Sequence, residues 1–349
     1  MGAEFPSLCD AELRERFDEL GFITGSHELV PLLRHAYKAA CVSDITVLLE
    51  GETGTGKQVL ASAIHRLDRK RGAFPFVTTH CGSLSLSLAE SELFGHQKGA
   101  FTGAVAQRKG LFQFAHRGTL FLDDVNDLPS DLQAKLLDVL QRGTVRAIGS
   151  DQETRVDVRI VAASNQPLQP LVCQNRFRTD LYHRLNVVRL RLPPLRERMQ
   201  DLPALVLALA RRHHDIYHPI ESVDCELISF LQSQAFPGNV RELENEVQRM
   251  LFSKTDGPSL SLADWHRGWE GRRTDEQPDL LRDAAEKVWG AISSQGIPYA
   301  QAMRLLERQV LEAALHVGGR TRREIAQCLR TSERTLYHKI RTLRAQRDA

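Results

Sequence analysis

The sequence predicts a parallel α/β domain closed by a helical lid and followed by a small all-α domain. Three observations lead there. From about Phe22 to Ser253, β-branched runs alternate with helical patterns, as βαβ units do. After Pro193-Pro194 the strand patterns stop and helical ones continue. From Gly318 to Ala349, nine Lys/Arg stand against three acids, a local charge of +6 in a chain whose formal net charge is +2. A basic terminal module on a mildly acidic body points to a polyanionic partner at that end.

The elements follow in order. The first twenty residues are polar and predict one short helix, so residues 1–20 read as an N-terminal arm. Strands are expected at Ile45–Glu50, Phe76–His80, Thr119–Leu122, Arg159–Ala163 and Val187–Leu192, which makes residues 21–192 the α/β part. Leu202–His214, Cys225–Gln234 and Val240–Phe252 read as helices of a lid over residues 193–253. Lys254–Pro278 holds Asp, Gly, Pro, Ser and Arg in no period, and residues 254–296 are expected to be a linker. An amphipathic helix over Tyr299–Val317 stops at Gly318-Gly319, and two short helices complete a domain over residues 297–349.

Composition excludes several classes. The chain has 349 residues, 42% hydrophobic and 26% charged, as expected for a soluble protein of two domains and a small third. No stretch approaches the roughly 18 apolar residues of a membrane span, and the N-terminus lacks a signal-peptide core, so a cytoplasmic protein with no membrane partner is expected. Six cysteines without a C-x-x-C pair favour free thiols over disulfides or a zinc site. An aromatic content of 6% argues against base-stacking platforms for single strands.

Gly51-Glu52-Thr53-Gly54-Thr55-Gly56-Lys57 follows the strand ending at Glu50 and precedes the helical run Gln58–His65. In that context G-x-x-x-x-G-K is a phosphate-binding loop: glycines turn amides inward, Lys57 adds a point charge, and the helix N-terminus adds its dipole. Gln58 stands where the generic motif has Ser or Thr. Thr119-Leu-Phe-Leu122 then runs into Asp123-Asp124. Beside a phosphate loop the first acid orients magnesium and the second polarises the attacking water. Asp123 is therefore the metal candidate, with Mg2+ and phosphate groups as the expected ligands.

Glu90-Ser-Glu-Leu-Phe-Gly-His-Gln-Lys-Gly99-Ala100-Phe101-Thr102-Gly103-Ala104 is a small-residue hairpin tip presenting one aromatic and one hydroxyl. An exposed Phe on such a loop makes sense if something docks on it. The segment resembles the GAFTGA loop of sigma-54-dependent transcriptional activators, bacterial enhancer-binding proteins of the AAA+ class. The resemblance covers about residues 21–253, resumes near 297–349, and includes Leu93-Phe-Gly-His96, Leu132-Gln-Ala-Lys-Leu-Leu137 and Pro193-Pro-Leu-Arg-Glu-Arg198.

The resemblance implies an AAA+ P-loop ATPase fold and a ring, usually a hexamer, with ATP between subunits. Turnover would drive Phe101 and Thr102 against the sigma-54 RNA polymerase holoenzyme and open its promoter complex. By the same resemblance Asn165 is sensor I, Arg178 and Arg184 form the arginine-finger segment acting on a neighbouring subunit, and Arg241 in Phe236-Pro-Gly-Asn-Val-Arg241 is sensor II. The sequence departs from the pattern at Gln58, where the family has Glu. At Asp124 the family has the water-polarising Glu, and at His80 an Asn that switches that Glu.

Around Leu329-Arg-Thr-Ser332, two short helical runs are spaced like a helix-turn-helix, with Ser332 as cap. Arg334, Thr335, His338 and Lys339 would face the major groove, and Arg341 would suit phosphates. Ala326–Leu343 resembles the Fis-type domain that ends most of these activators. Such modules pair, so an enhancer-like inverted repeat in double-stranded DNA is implied. The leading expectation is an ATP-driven activator lacking an N-terminal regulatory domain. It would be controlled by a trans-acting regulator, and its ring would be homomeric or shared with a paralogue. A DNA-binding regulator whose weak ATPase serves assembly is the alternative. The GAFTGA loop argues against a replication or recombination motor.

Overall fold

The computed structural model describes residues 8–82, 86–101, 103–212, 219–255 and 257–270, with scattered positions between 289 and 306. Five parallel strands form the central sheet in the spatial order Phe76–His80, Thr119–Asp123, Arg159–Ser164, Val47–Glu50, Val188–Arg191. All five were legible as apolar or β-branched runs. Alternation along them splits the core between two faces. Leu48, Leu120, Leu122, Ile160 and Ala162 pack on one side with the helices Ser130–Arg142 and Thr179–Leu185. Val47, Leu49, Phe121, Val161 and Ala163 pack on the other with the helices Val30–Cys41 and Lys57–Leu67. The N-terminal helix Asp10–Glu19 joins that second layer through the buried Leu13 and Phe17.

The lid has its own core. Leu205, Val206 and Leu209 on the helix Leu202–Arg212 meet Leu227 and Leu231 on Cys225–Gln232, and Leu243, Val247 and Met250 on Asn239–Ser253.

Residues 259–270 depart from the linker expectation. Ser259–Leu260 pairs with Ser222–Val223, and Leu262–Glu270 is a helix. Ser261 starts that helix: its amide and hydroxyl both donate to Asp264, each at 2.9 Å. The Trp265 ring sits edge-on to Phe230 at 5.3 Å, which anchors the helix on the lid. Two further short antiparallel pairs, Gly95–His96 with Arg108–Lys109 and Thr144–Arg146 with Glu153–Arg155, are too short to show a period. Thr102 and the helix-turn-helix residues lie outside the described residues, as does most of the run Tyr299–Val317. Among the described residues no helix is long and apolar enough to cross a membrane.

Candidate functional site

The phosphate-type loop leaves the carboxyl end of Val47–Glu50 and feeds directly into Lys57–Leu67. Gly54 and Gly56 have φ of +80° and +101°, a region open to glycine, so the loop can fold tightly without strain. A Cβ at Gly54 would lie 2.2 Å from the Gly238 carbonyl oxygen, so the lid also requires glycine there. The Lys57 ammonium is buried in the loop and donates to the carbonyls of Gly51 at 2.7 Å and Glu52 at 3.1 Å. Burial pulls its pKa down, the carboxylates of Asp123 and Asp124 push it back up, and Arg241 lowers it again.

Strand register brings the acids to this loop. His80 pairs with Asp123 across neighbouring parallel strands, and Asp124 follows in a left-handed conformation at φ +50°. The His80 Nδ1 lies 3.6 Å from Asp124 Oδ2 and 3.9 Å from Asp123 Oδ2. Cys81, one residue on, is not a nucleophile: burial, then Asp123, Asp124 and Asp127, push its thiol up to about 12.

The lid closes the site. Val240 and Arg241 donate their amides to the Gly54 carbonyl at 2.9 and 3.3 Å, and Asn239 Nδ2 donates to Thr53 O at 3.0 Å. Arg198, on the lid side, donates to Thr55 O at 2.6 Å. Arg196 makes two bonds to the Glu52 carboxylate at 2.8 and 2.7 Å. Together with Asn239 it holds that exposed carboxyl down to about 2. The result is a cavity of about 450 Å³ lined by the loop from Thr53 to Lys57, Gln58, His80, Asp123, Asp124 and Arg241, while Gly51 and Glu52 lie outside its lining. Phe22, Arg198, Arg212 and Glu244 also line it, although none of them carries a sequence signature of the site. Arg198 ends the motif Pro193-Pro-Leu-Arg-Glu-Arg198, yet nothing local tells that its guanidinium turns inward.

Residues 23–191 match the sigma-54 interaction domain and residues 196–279 the AAA+ ATPase lid domain. The chain carries a sigma-54 interaction domain with an AAA+ lid. It is 45% identical over 251 residues to the formate hydrogenlyase transcriptional activator of Salmonella typhimurium, covering 70% of this chain and 36% of that protein. It is 36% identical over 358 residues to the Nif-specific regulatory protein of Bradyrhizobium diazoefficiens, covering 95% and 61%. The structure of NtrX from Brucella abortus in complex with ATP superposes with a TM-score of 0.63 at 27% identity, covering 95% of this chain and 71% of that one. This chain thus spans 36% and 61% of the length of the two sequence relatives.

The other expected residues of the sigma-54 interaction domain do not line the cavity. Asn165 follows the strand Arg159–Ser164, and its amide donates to Asn126 Oδ1 at 3.3 Å. Arg178 is exposed, paired with Asp180 at 2.8 Å, and Arg184 donates to Leu140 O at 2.9 Å. The hairpin tip is closed by Gly99 N–H to Ala104 O at 2.9 Å, and Gly99 and Gly103 have φ of +82° and +109°. Phe101, expected to be exposed, is 37% exposed, with its ring edge-on against the buried His96 at 5.0 Å.

Proposed function

We propose that the chain is an ATP-driven transcription activator that remodels sigma-54 RNA polymerase closed complexes. The carrying observation is the convergence of Lys57, Asp123, Asp124 and Arg241 on one cavity at the carboxyl edge of a parallel sheet. A phosphate loop, two carboxylates and a lid arginine are what nucleotide hydrolysis needs in one place. Loop amides and Lys57 would bind the triphosphate, and Arg241 would hold it from the lid. Asp124 would take the proton of the attacking water, with His80 positioning its carboxylate.

The donor set fits magnesium: Asp123 and Asp124 offer oxygen ligands beside the loop, and Asp123 would hold the ion. When bound, magnesium neutralises charge on the phosphates. Arg178 and Arg184, exposed and outside the cavity, suit fingers that complete a neighbouring subunit's site in a hexameric ring, with Asn165 sensing the γ-phosphate within the subunit. The hairpin from Gly99 to Ala104 would contact sigma-54, and Arg334, Thr335, His338, Lys339 and Arg341 would read an inverted repeat in double-stranded DNA. Control would come from a trans-acting regulator, in the cytoplasm.

The second reading, a DNA-binding regulator with a weak ATPase, is favoured by the short Asp124 carboxylate and by its closeness to His80. Steady-state ATP hydrolysis separates the two. Sigma-54 trapping with a metal-fluoride transition-state analogue tests the activator reading, and failure to trap at saturating analogue would overturn it.

A further inference from the structure

We infer that Asn126 is a positioning residue that couples the Asp123–Asp124 turn to Asn165, so that the acid facing the attacking water and the sensor of the γ-phosphate keep one relative geometry. Asn126 lies in the short turn Val125–Asp127 and is buried, outside the cavity lining. The Asp127 amide closes that turn on the Asp124 carbonyl at 3.0 Å. From there the Asn126 side chain crosses to the end of the neighbouring strand Arg159–Ser164. Its Oδ1 accepts the Ser164 hydroxyl at 2.9 Å and the Asn165 amide at 3.3 Å, while its Nδ2 donates to Asp127 Oδ1 at 2.8 Å.

Donor and acceptor chemistry fixes the side chain in that orientation. The Asp127 carboxylate offers only acceptors and the Asn165 amide only a hydrogen, so flipping the Asn126 amide would set like against like at both ends. Ser164 is held in turn. Its hydroxyl also lies 2.5 Å from the Gln166 carbonyl oxygen, and its own carbonyl accepts the Gly51 amide at 3.2 Å. Asn126 thus sits where the carboxyl ends of Val47–Glu50, Thr119–Asp123 and Arg159–Ser164 meet. Packing alone does not ask for an amide there, since burying one costs free energy that its hydrogen bonds only offset. What the amide adds is direction. The Asn165 backbone is pinned, while its side-chain amide makes no hydrogen bond among the described residues and is left to meet a ligand.

The coupling rests on the proposed roles of Asp124 and Asn165 in hydrolysis, and two measurements let each fail alone. In the full-length protein, Asn126→Ala should lower kcat for ATP by about tenfold or more, because losing the tie lets the acid and the sensor drift apart. KM should stay within about twofold, since Asn126 lines no part of the cavity. Asn165→Ala should lower kcat too, and adding Asn126→Ala to it should change little further, as for two residues acting through one contact. Hydrogen exchange of the native protein needs no variant to fold: ATPγS should slow exchange in segments 124–127 and 164–166 together. Equal kcat in native and Asn126→Ala protein, losses that multiply in the double variant, or protection of fewer than both segments would overturn the coupling. Joint protection in a protein that hydrolyses no ATP would uphold it and remove the ATPase reading instead.

Discussion

Arg198 reaches from the lid to the Thr55 carbonyl at 2.6 Å and lies 3.9 Å from the Asp201 carboxylate, with both side chains almost fully buried. Asp201 Oδ1 in turn accepts the amides of Gly25 at 2.8 Å and Ser26 at 2.7 Å, so one pair ties the phosphate loop, the lid and the segment following Phe22. Arg198 Nε and Asp201 Oδ2 make no hydrogen bond, which leaves their charges to compensate each other. Removing one member strands the other. Arg198→Ala should cost about 3–5 kcal/mol, measured by urea denaturation, and should weaken nucleotide binding. A loss under about 1 kcal/mol would show that the pair is not what joins these segments.

The His80–Asp124 contact gives a sharper kinetic expectation. At 3.6 Å the imidazole stands where it can reposition the shorter carboxylate. The carboxylate is one methylene shorter than Glu and the imidazole longer than the Asn amide, so the two departures are expected to compensate each other. A double-mutant cycle on ATP hydrolysis with Asp124→Glu, His80→Asn and both tests this. The double variant should be faster than either single one and at least as fast as native protein. Native turnover should be slow, because a catalytic group misplaced by about 1 Å can cost on the order of a hundredfold. Additive effects would separate the two residues.

Phe101→Ala should remove sigma-54 trapping while ATP hydrolysis persists, since the ring lies outside the cavity lining. The edge-on contact with His96 adds a stability cost of about 1 kcal/mol. Loss of nucleotide binding in this variant would contradict the separation of roles.

His65 supplies a pH dependence away from the site. It is buried against Phe76 at 5.2 Å, with Nδ1 2.9 Å from Thr119 Oγ1, and burial lowers its pKa from 6.5, with a backbone bond at Phe74 opposing. The unfolded chain therefore takes up a proton at a pH where the folded chain does not. The stability is fully present above pH 6.5 and declines as pH falls below it, by at most about 1.4 kcal/mol per pH unit. Denaturation midpoints between about pH 5 and 7.5 should slope accordingly in native protein and flatten in His65→Gln. An unchanged slope in the variant would assign the effect to another group.

Much of this was legible in sequence because it is local or periodic. The five strands show as apolar or β-branched runs, and the loop from Gly51 to Lys57 carries its own signature between strand and helix. What stayed hidden is set by tertiary approach. Arg198, Arg212 and Glu244 look like surface charges on helical segments until the lid folds over the cavity. The helix Leu262–Glu270 sits beyond a Gly-Pro interruption and is too short to show a period, although its Ser261–Asp264 start was readable. Arg178 and Arg184 lie outside the lone chain's cavity, and a sequence motif alone cannot tell which subunit's nucleotide they face.

The Gly54 carbonyl, accepting two amides from the start of the helix Asn239–Ser253, has a mechanical consequence. Rotating the Gly54–Thr55 peptide breaks both bonds together, and straightening the loop cannot be done while they hold. Loop and lid therefore share one latch. A rearrangement among the phosphates would reach the lid helix as a release along its axis, with no intervening flexible segment to absorb the stroke.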